Sequence, residues 1–136
     1  LAAHNTNELT TMKRTLYLHI GTEKTGTTSI QKALYLNQPR LRQSGFHFVQ
    51  SAGSENNVAL PAALIDYDAT SSFLKTLGIH SAEQHQSFAQ KTIERFHNEL
   101  EKLPPEIHSV IVSSEHFHSQ ASSPEAANLL AGRRSP

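Results

Sequence analysis

Short apolar runs and longer helical stripes alternate along the chain. Residues 15–20 (TLYLHI) form an apolar run with aromatic and branched members, bounded by Gly21, and this pattern predicts a buried strand. Residues 108–113 (HSVIVS) form a second run of the same kind. Residues 46–49 (FHFV) are long enough for a short edge strand. The pattern therefore predicts two buried strands and one shorter strand.

Helical spacing of apolar residues dominates the segments between these runs. Residues 27–37 (TTSIQKALYLN) have this spacing, and Pro39 is expected to close off the helix. The clearest helix begins at Ser81, where Ser-Ala-Glu-Gln forms a capping box, and ends before Pro104. Its apolar stripe, predicted to pack in the core, comprises Ala89, Ile93, Phe96, Leu100 and Leu103. Shorter helices are predicted over residues 57–66, 71–77 and 123–130.

The order of these elements predicts an α/β fold with three layers, a parallel sheet flanked by helices. Buried strands linked by helical crossovers are typical of parallel sheets. Two or three strands do not complete such a sheet, so residues 12–136 are interpreted as the N-terminal part of a larger domain. Residues 1–11 are polar and irregular, and we expect them to form a flexible tail.

Composition excludes several classes of protein. The 136 residues suit one domain, and 12 Lys and Arg balance 12 Asp and Glu, which argues against a nucleic-acid binder. The absence of cysteine excludes disulfides and Cys-ligated zinc. No apolar run reaches the roughly 20 residues that span a bilayer. Because the N-terminus also lacks the apolar segment of a signal peptide, we expect a cytoplasmic protein.

The strongest candidate chemistry lies in residues 21–29 (GTEKTGTTS), between the first strand and the first helix. A helix N-terminus has unpaired N–H groups and a partial positive charge, and flanking glycines let loop amides converge on one anion. Lys24 adds a full positive charge, and Thr27, Thr28 and Ser29 add hydroxyl donors. The combination predicts a site for a phosphate or sulfate group.

This loop differs from the P-loop of ATP-binding proteins, whose pattern is G-x-x-x-x-G-K-[ST]. Gly21, Gly26 and Thr28 occupy matching positions, but Thr27 stands where the lysine belongs, and the lysine lies three residues earlier. The second strand is followed by Ser-Ser-Glu, not by the aspartate that usually holds magnesium. A nucleotide kinase or NTPase with a displaced lysine is therefore one alternative. The simplest alternative is a capped helix N-terminus that binds no ligand.

Residues 18–31 (LHIGTEKTGTTSIQ) resemble the phosphosulfate-binding loop of sulfotransferases that use 3′-phosphoadenosine 5′-phosphosulfate (PAPS), the bacterial sulfotransferase-like proteins in particular. Residues 112–117 (VSSEHF) are similar to a Ser-Ser-Glu strand end that is frequent in the same group. The resemblance implies that residues 12–136 are the N-terminal part of a P-loop-type domain. It implies transfer of a sulfuryl group from PAPS, without a metal, to a hydroxyl or amine of a small-molecule or glycan acceptor.

The resemblance also implies roles for individual residues. Lys24 would contact the 5′-phosphosulfate and neutralise the charge that builds on the leaving phosphate. The acceptor's proton would pass to Glu115, after the second strand, or to Glu55, in the loop after the first helix. The family's motif for the 3′-phosphate has no match here, so a non-catalytic truncated fragment is a further alternative. The implied cofactor-binding residues are Lys24, Thr25, Gly26, Thr27, Thr28 and Ser29.

Nine histidines make a metal site worth testing. His116 and His118 alternate along one segment and would face one ion if that segment were extended, whereas His80 and His85 are spaced poorly for one helical face. No acidic cluster accompanies either pair, so surface or packed neutral histidines are expected. His19 is expected to pack or hydrogen-bond beside the loop.

Overall fold

Three parallel strands form the sheet of this protein. The structure is a computed structural model that describes residues 13–20 and 27–119. The strands are β1 (Thr15–His19), β2 (Phe46–Phe48) and β3 (Ser109–Ser113). β3 lies in the centre, in the order β1–β3–β2, and pairs in parallel with both neighbours. The predicted α/β class, the parallel sheet and the short edge strand are confirmed.

Helices occupy most of the chain between these strands. The first predicted helix ends before Pro39, as expected, but a second helix follows at once with that proline in its first turn. Proline is tolerated in the first turn because an N–H group there has no acceptor within the helix, so its absence costs no helical hydrogen bond. The helix predicted over residues 123–130, like residues 1–12, lies outside the described residues. The helices described are α1 (Thr27–Leu36), α2 (Gln38–Gln43), α3 (Ala59–Leu64), α4 (Ser72–Thr76), α5 (Ala82–Glu101) and α6 (His116–Ser119).

Most of the predicted stripe, on and just after the long helix α5 (Ala82–Glu101), packs against the sheet. Phe96 is fully buried and Leu103 is buried in the same core, and Ile93 and Leu100 pack against that core. Strand residues Val110 and Val112 supply the other side of the contact. No helix in the described part of the chain has both the length and the apolar character needed to cross a membrane.

Both ends of α5 are capped by side chains. Ser81 Oγ accepts a hydrogen bond from the Gln84 amide at 3.1 Å, as the capping box predicts. Gln84 Oε1 in turn accepts from the His80 amide at 2.8 Å, one residue further back than a capping box requires. At the other end, Arg14 Nη1 lies 3.5 Å from the Leu100 carbonyl in the last turn of α5, and Nη2 donates to the Leu103 carbonyl just after the helix at 3.2 Å. The start of β1 is thereby tied to the end of α5.

Replacing the cap residue by Ser81→Ala is expected to lower the free energy of unfolding by about 1 kcal/mol, because the Gln84 amide loses its acceptor. Urea unfolding followed by circular dichroism measures the change. The matched control is Ser87→Ala, on an exposed position inside the same helix, where no loss is expected. Equal losses in the two variants would contradict a capping role for Ser81.

Candidate functional site

The carboxyl ends of the three strands lie at one edge of the sheet, where open α/β folds bind their ligands. β1 ends there at His19 and β3 at Ser113, and these two residues are partners in the β-ladder. β2 leads into residues 49–58 at the same edge. The sequence motifs after β1 and after β3 therefore start from neighbouring strands. We call this the carboxyl edge.

The predicted anion loop is described only in its last part. Lys24, Thr25 and Gly26 lie outside the described residues. Thr27 and Thr28 are the first residues of α1, so the helix begins where the sequence predicts. Ser29 lies in the first turn of α1 and is exposed.

A histidine–serine pair closes the end of β1 against β3. His19 Nδ1 lies 2.8 Å from Ser113 Oγ, so of the two expected contacts, packing or a hydrogen bond, the structure shows a hydrogen bond. Ser113 and Ser114 are fully buried, and the Ser114 amide donates to the His19 carbonyl at 3.1 Å. The end of β3 is therefore fixed before the chain turns into Glu115.

Asn57 connects the segment after β2 to the end of β3. Its Nδ2 donates to the carbonyls of Val49 and Gly53, both at 2.8 Å, and its Oδ1 accepts from the Ser113 amide at 2.8 Å. Its own amide donates to the Ser113 carbonyl at 2.9 Å. Asn57 is fully buried and stands outside α3, although the sequence predicts a helix from this position. The ladder between β2 and β3 ends at Phe48. Beyond it, the Asn57 side chain links the two segments.

The two candidate bases lie on the two segments that Asn57 joins. Glu55 precedes Asn57 by two residues and Glu115 follows Ser113 by two, and both side chains are half-buried. Gly53, in the same loop as Glu55, has φ of +122°, and a side chain there would clash with the Asn56 carbonyl. The structure therefore assigns both candidates to the carboxyl edge, one on each side of the Asn57 bridge.

Glu99 on α5 is a second anchor of the loop after β2, and it does not figure among the sequence candidates. Its carboxylate accepts from the amides of Gln50 and Ser51, both at 2.8 Å, and from His47 Nε2 at 2.6 Å. Burial opposes ionisation, but these hydrogen bonds outweigh it and lower the pKa of Glu99 from 4.5 to about 2. Arg42 lies 3.4 Å from His47 Nδ1. A guanidinium only donates, so Nδ1 accepts and Nε2–H is donated to Glu99.

One sequence signal marks this anchor. Glu99 lies three residues after Phe96 and four before Leu103, so a carboxylate occupies the apolar stripe of α5. His47 likewise lies between two phenylalanines of β2. A charged or polar side chain at a core-facing position requires a buried partner. This pattern could have indicated that Glu99 and His47 form a buried pair, but not that Glu99 anchors the loop after β2.

Two of the paired histidines make contacts within the protein. His116 belongs to the short helix α6, not to an extended segment, so alternation does not align it with His118. Its ring stacks on Phe73 with centroids 4.6 Å apart. His85 is buried and its Nε2 bonds the Ala62 carbonyl at 2.8 Å. Within residues 13–20 and 27–119, no group of three or more metal-ligating side chains occurs.

A groove of about 560 Å³ lies between α3 and α5. Its walls include Ala63, Leu64 and Ile93, with Glu94 and His97 among the polar residues. None of the candidate residues lines it, so the groove and the carboxyl edge are separate features.

Comparison of the chain with family models, curated proteins and solved structures finds no match.

Proposed function

We propose that this chain is the cofactor-binding part of a PAPS-dependent sulfotransferase with a P-loop-type fold. The observation that carries the proposal is the adjacency of β1 and β3, with His19 opposite Ser113. The resemblance rests on a loop after β1 and a Ser-Ser-Glu strand end at β3, more than eighty residues apart in sequence. Both motifs start from neighbouring strands at the carboxyl edge, as one shared binding site requires.

In the proposed reaction, an acceptor hydroxyl or amine attacks the sulfur of PAPS in line with the leaving group. A bond forms between the acceptor atom and sulfur, and the bond from sulfur to the 5′-phosphate oxygen breaks. The products are the sulfated acceptor and 3′-phosphoadenosine 5′-phosphate. Negative charge builds on the leaving phosphate, and Lys24 with the amides of residues 25–28 stabilises it. The acceptor's proton passes to Glu115 or Glu55.

The Asn57 bridge supports a role for these carboxylates. A general base acts well only when its position relative to the reacting atoms is fixed. Glu55 lies in a loop held at its start by Glu99 and at its end by Asn57. Glu115 follows a strand end that the same asparagine holds. Both candidates therefore stand on constrained backbone.

Calorimetric titration with 3′-phosphoadenosine 5′-phosphate tests the proposal. Metal-independent binding is expected, and Lys24→Ala is expected to weaken it about tenfold or more, because a charge-assisted contact of about 1.5–3 kcal/mol is lost. Lys32→Ala is the matched control, since Lys32 is exposed on α1 and its loss should change the affinity little.

Parallel titration with ATP and magnesium separates the alternatives. Preference for magnesium-ATP would support the nucleotide kinase or NTPase. No binding of either nucleotide by the folded chain would contradict cofactor binding and support the non-catalytic fragment.

A further inference from the structure

Glu99 stands where helix α5 itself disfavours a carboxylate. It lies in the last turn of α5 (Ala82–Glu101), and the partial negative charge of a helix C-terminus repels an anion. Its side chain is only 15% exposed, and burial also opposes a charge. Neither the helix nor the core therefore accounts for this residue. The groups that account for it lie across from it, in β2 and in the loop after β2.

Three hydrogen-bond donors converge on the two oxygens of this carboxylate. The Gln50 amide donates to Oε2 and the Ser51 amide to Oε1, both at 2.8 Å. His47 Nε2–H donates to Oε2 at 2.6 Å, and Arg42 places a positive charge behind the imidazole, 3.4 Å from Nδ1. Consecutive backbone amides in a turn form concave sites that bind anions. We call Gln50, Ser51 and His47 the donor cradle.

The donor cradle is held in place by contacts that do not involve Glu99. His47 is a buried residue of β2, which pairs with β3. After it, the Val49 amide donates to the Ile111 carbonyl at 3.0 Å, and the Val49 carbonyl accepts from Asn57 Nδ2 at 2.8 Å. The cradle should therefore keep its shape when the Glu99 side chain is shortened. Its donors favour a charged ligand, since they hold the pKa of Glu99 at about 2 against the effect of burial.

We propose that the donor cradle is an oxyanion-binding site in its own right, with Glu99 as its built-in ligand, and that it binds a small free carboxylate when this side chain is shortened. The ligand class is a monocarboxylate such as acetate, which has the carbon and oxygen atoms that Glu99→Ala removes. The loop after β2 then depends on an anion in the cradle, not on a covalent link between that anion and α5. The inference is independent of the proposed function.

The test is urea unfolding of Glu99→Ala in the full chain at neutral pH, with sodium acetate replacing sodium chloride at constant ionic strength. The urea midpoint is expected to rise with acetate, because a ligand that binds only the folded chain stabilises it. Above the Kd, each tenfold increase in acetate should raise the folding constant by about tenfold. A Kd on the order of millimolar is expected for a ligand of about four non-hydrogen atoms.

Two proteins and one neutral compound serve as controls. Wild type should gain nothing from acetate over chloride, because Glu99 already fills the cradle. Glu94→Ala, on an exposed position of the same helix, should likewise gain nothing. Acetamide has the shape of acetate without its charge and should not stabilise Glu99→Ala. An equal gain from acetate in all three proteins, or an equal gain from acetamide and acetate in Glu99→Ala, would overturn the inference.

The amide resonances of Gln50 and Ser51 locate the bound ion. In Glu99→Ala both are expected to shift with acetate until the site is saturated, and unchanged resonances would overturn the inference. If Glu99→Ala does not fold in chloride, the same acetate series is followed by the recovery of helical circular dichroism. Recovery in acetate but not in acetamide would support the inference. No recovery at acetate concentrations in which Glu94→Ala stays folded would overturn it.

Discussion

Glu99→Gln is expected to lower the free energy of unfolding at pH 7 by about 2–3 kcal/mol, since each unit of pKa shift corresponds to about 1.4 kcal/mol. The carboxylate is 15% exposed and holds His47 and the amides of Gln50 and Ser51. Glutamine keeps the shape and one acceptor oxygen, but it loses the charge that strengthens these bonds. Urea unfolding of the two proteins at pH 7 measures the difference.

The pH dependence identifies the charge as the cause. The pKa of Glu99 lies at about 2 in the folded chain and near 4.5 when the group is free. A carboxyl group with a lowered pKa contributes its full stabilisation above its unfolded pKa and loses it as the pH falls toward the folded value. The gap between wild type and Glu99→Gln should therefore shrink as the pH falls from about 5 to about 2. A gap that is as large at pH 3 as at pH 7 would contradict this explanation.

Glu94→Gln, on an exposed position of the same helix, is the control and should leave stability nearly unchanged.

The elements that the sequence predicts well are those defined by local pattern. The strand pattern of residues 15–20 and 108–113 and the stripe of α5 appear in the structure within one or two residues. Burial of every second or every third to fourth residue is a local property, so one sequence suffices to detect it. The sequence does not predict helix α2, because Pro39 marks the end of one helix and the start of another equally well.

The anchors of the carboxyl edge depend on long-range contacts, which local pattern does not encode. Asn57 binds Ser113, 56 residues away, and Glu99 binds Gln50, 49 residues away. The segment that begins at Asn57 has a sequence typical of a helix. The Asn57 side chain, however, hydrogen-bonds three backbone groups outside any helix. Motif resemblance points to the loop after β1 and to Ser-Ser-Glu after β3. Only the strand order brings those two motifs to neighbouring positions.

Together, Glu99 and Asn57 hold the loop after β2 by hydrogen bonds at its start and at its end. Glu99 fixes the amides at the loop's start, and Asn57 fixes carbonyls within the loop and the amide of Ser113. Gln50 adds a bond from its side chain to the Ser54 carbonyl at 3.0 Å. Loops that carry catalytic groups gain from such support, since a group displaced by about 1 Å loses much of its effect. The backbone on either side of Glu55, one of the two candidate bases, is therefore held by the side chains of Glu99 and Asn57.

Asn57→Ala is expected to be the most damaging substitution at this edge, with a loss of about 3 kcal/mol in the free energy of unfolding, because buried groups left unpaired cost about 1–3 kcal/mol each. The Ser113 amide and the Val49 carbonyl lose their partners in a site where Asn57 is 0% exposed. Urea unfolding with circular dichroism measures the loss. Asn56→Ala is the matched control: its Oδ1 is buried and has no hydrogen-bond partner among the described residues, so a loss below about 1 kcal/mol is expected. Equal losses at positions 56 and 57 would show that the bridge to Ser113 does not carry the stability assigned to it. A loss confined to Asn57→Ala would mean that one amide side chain holds the segments of both candidate bases.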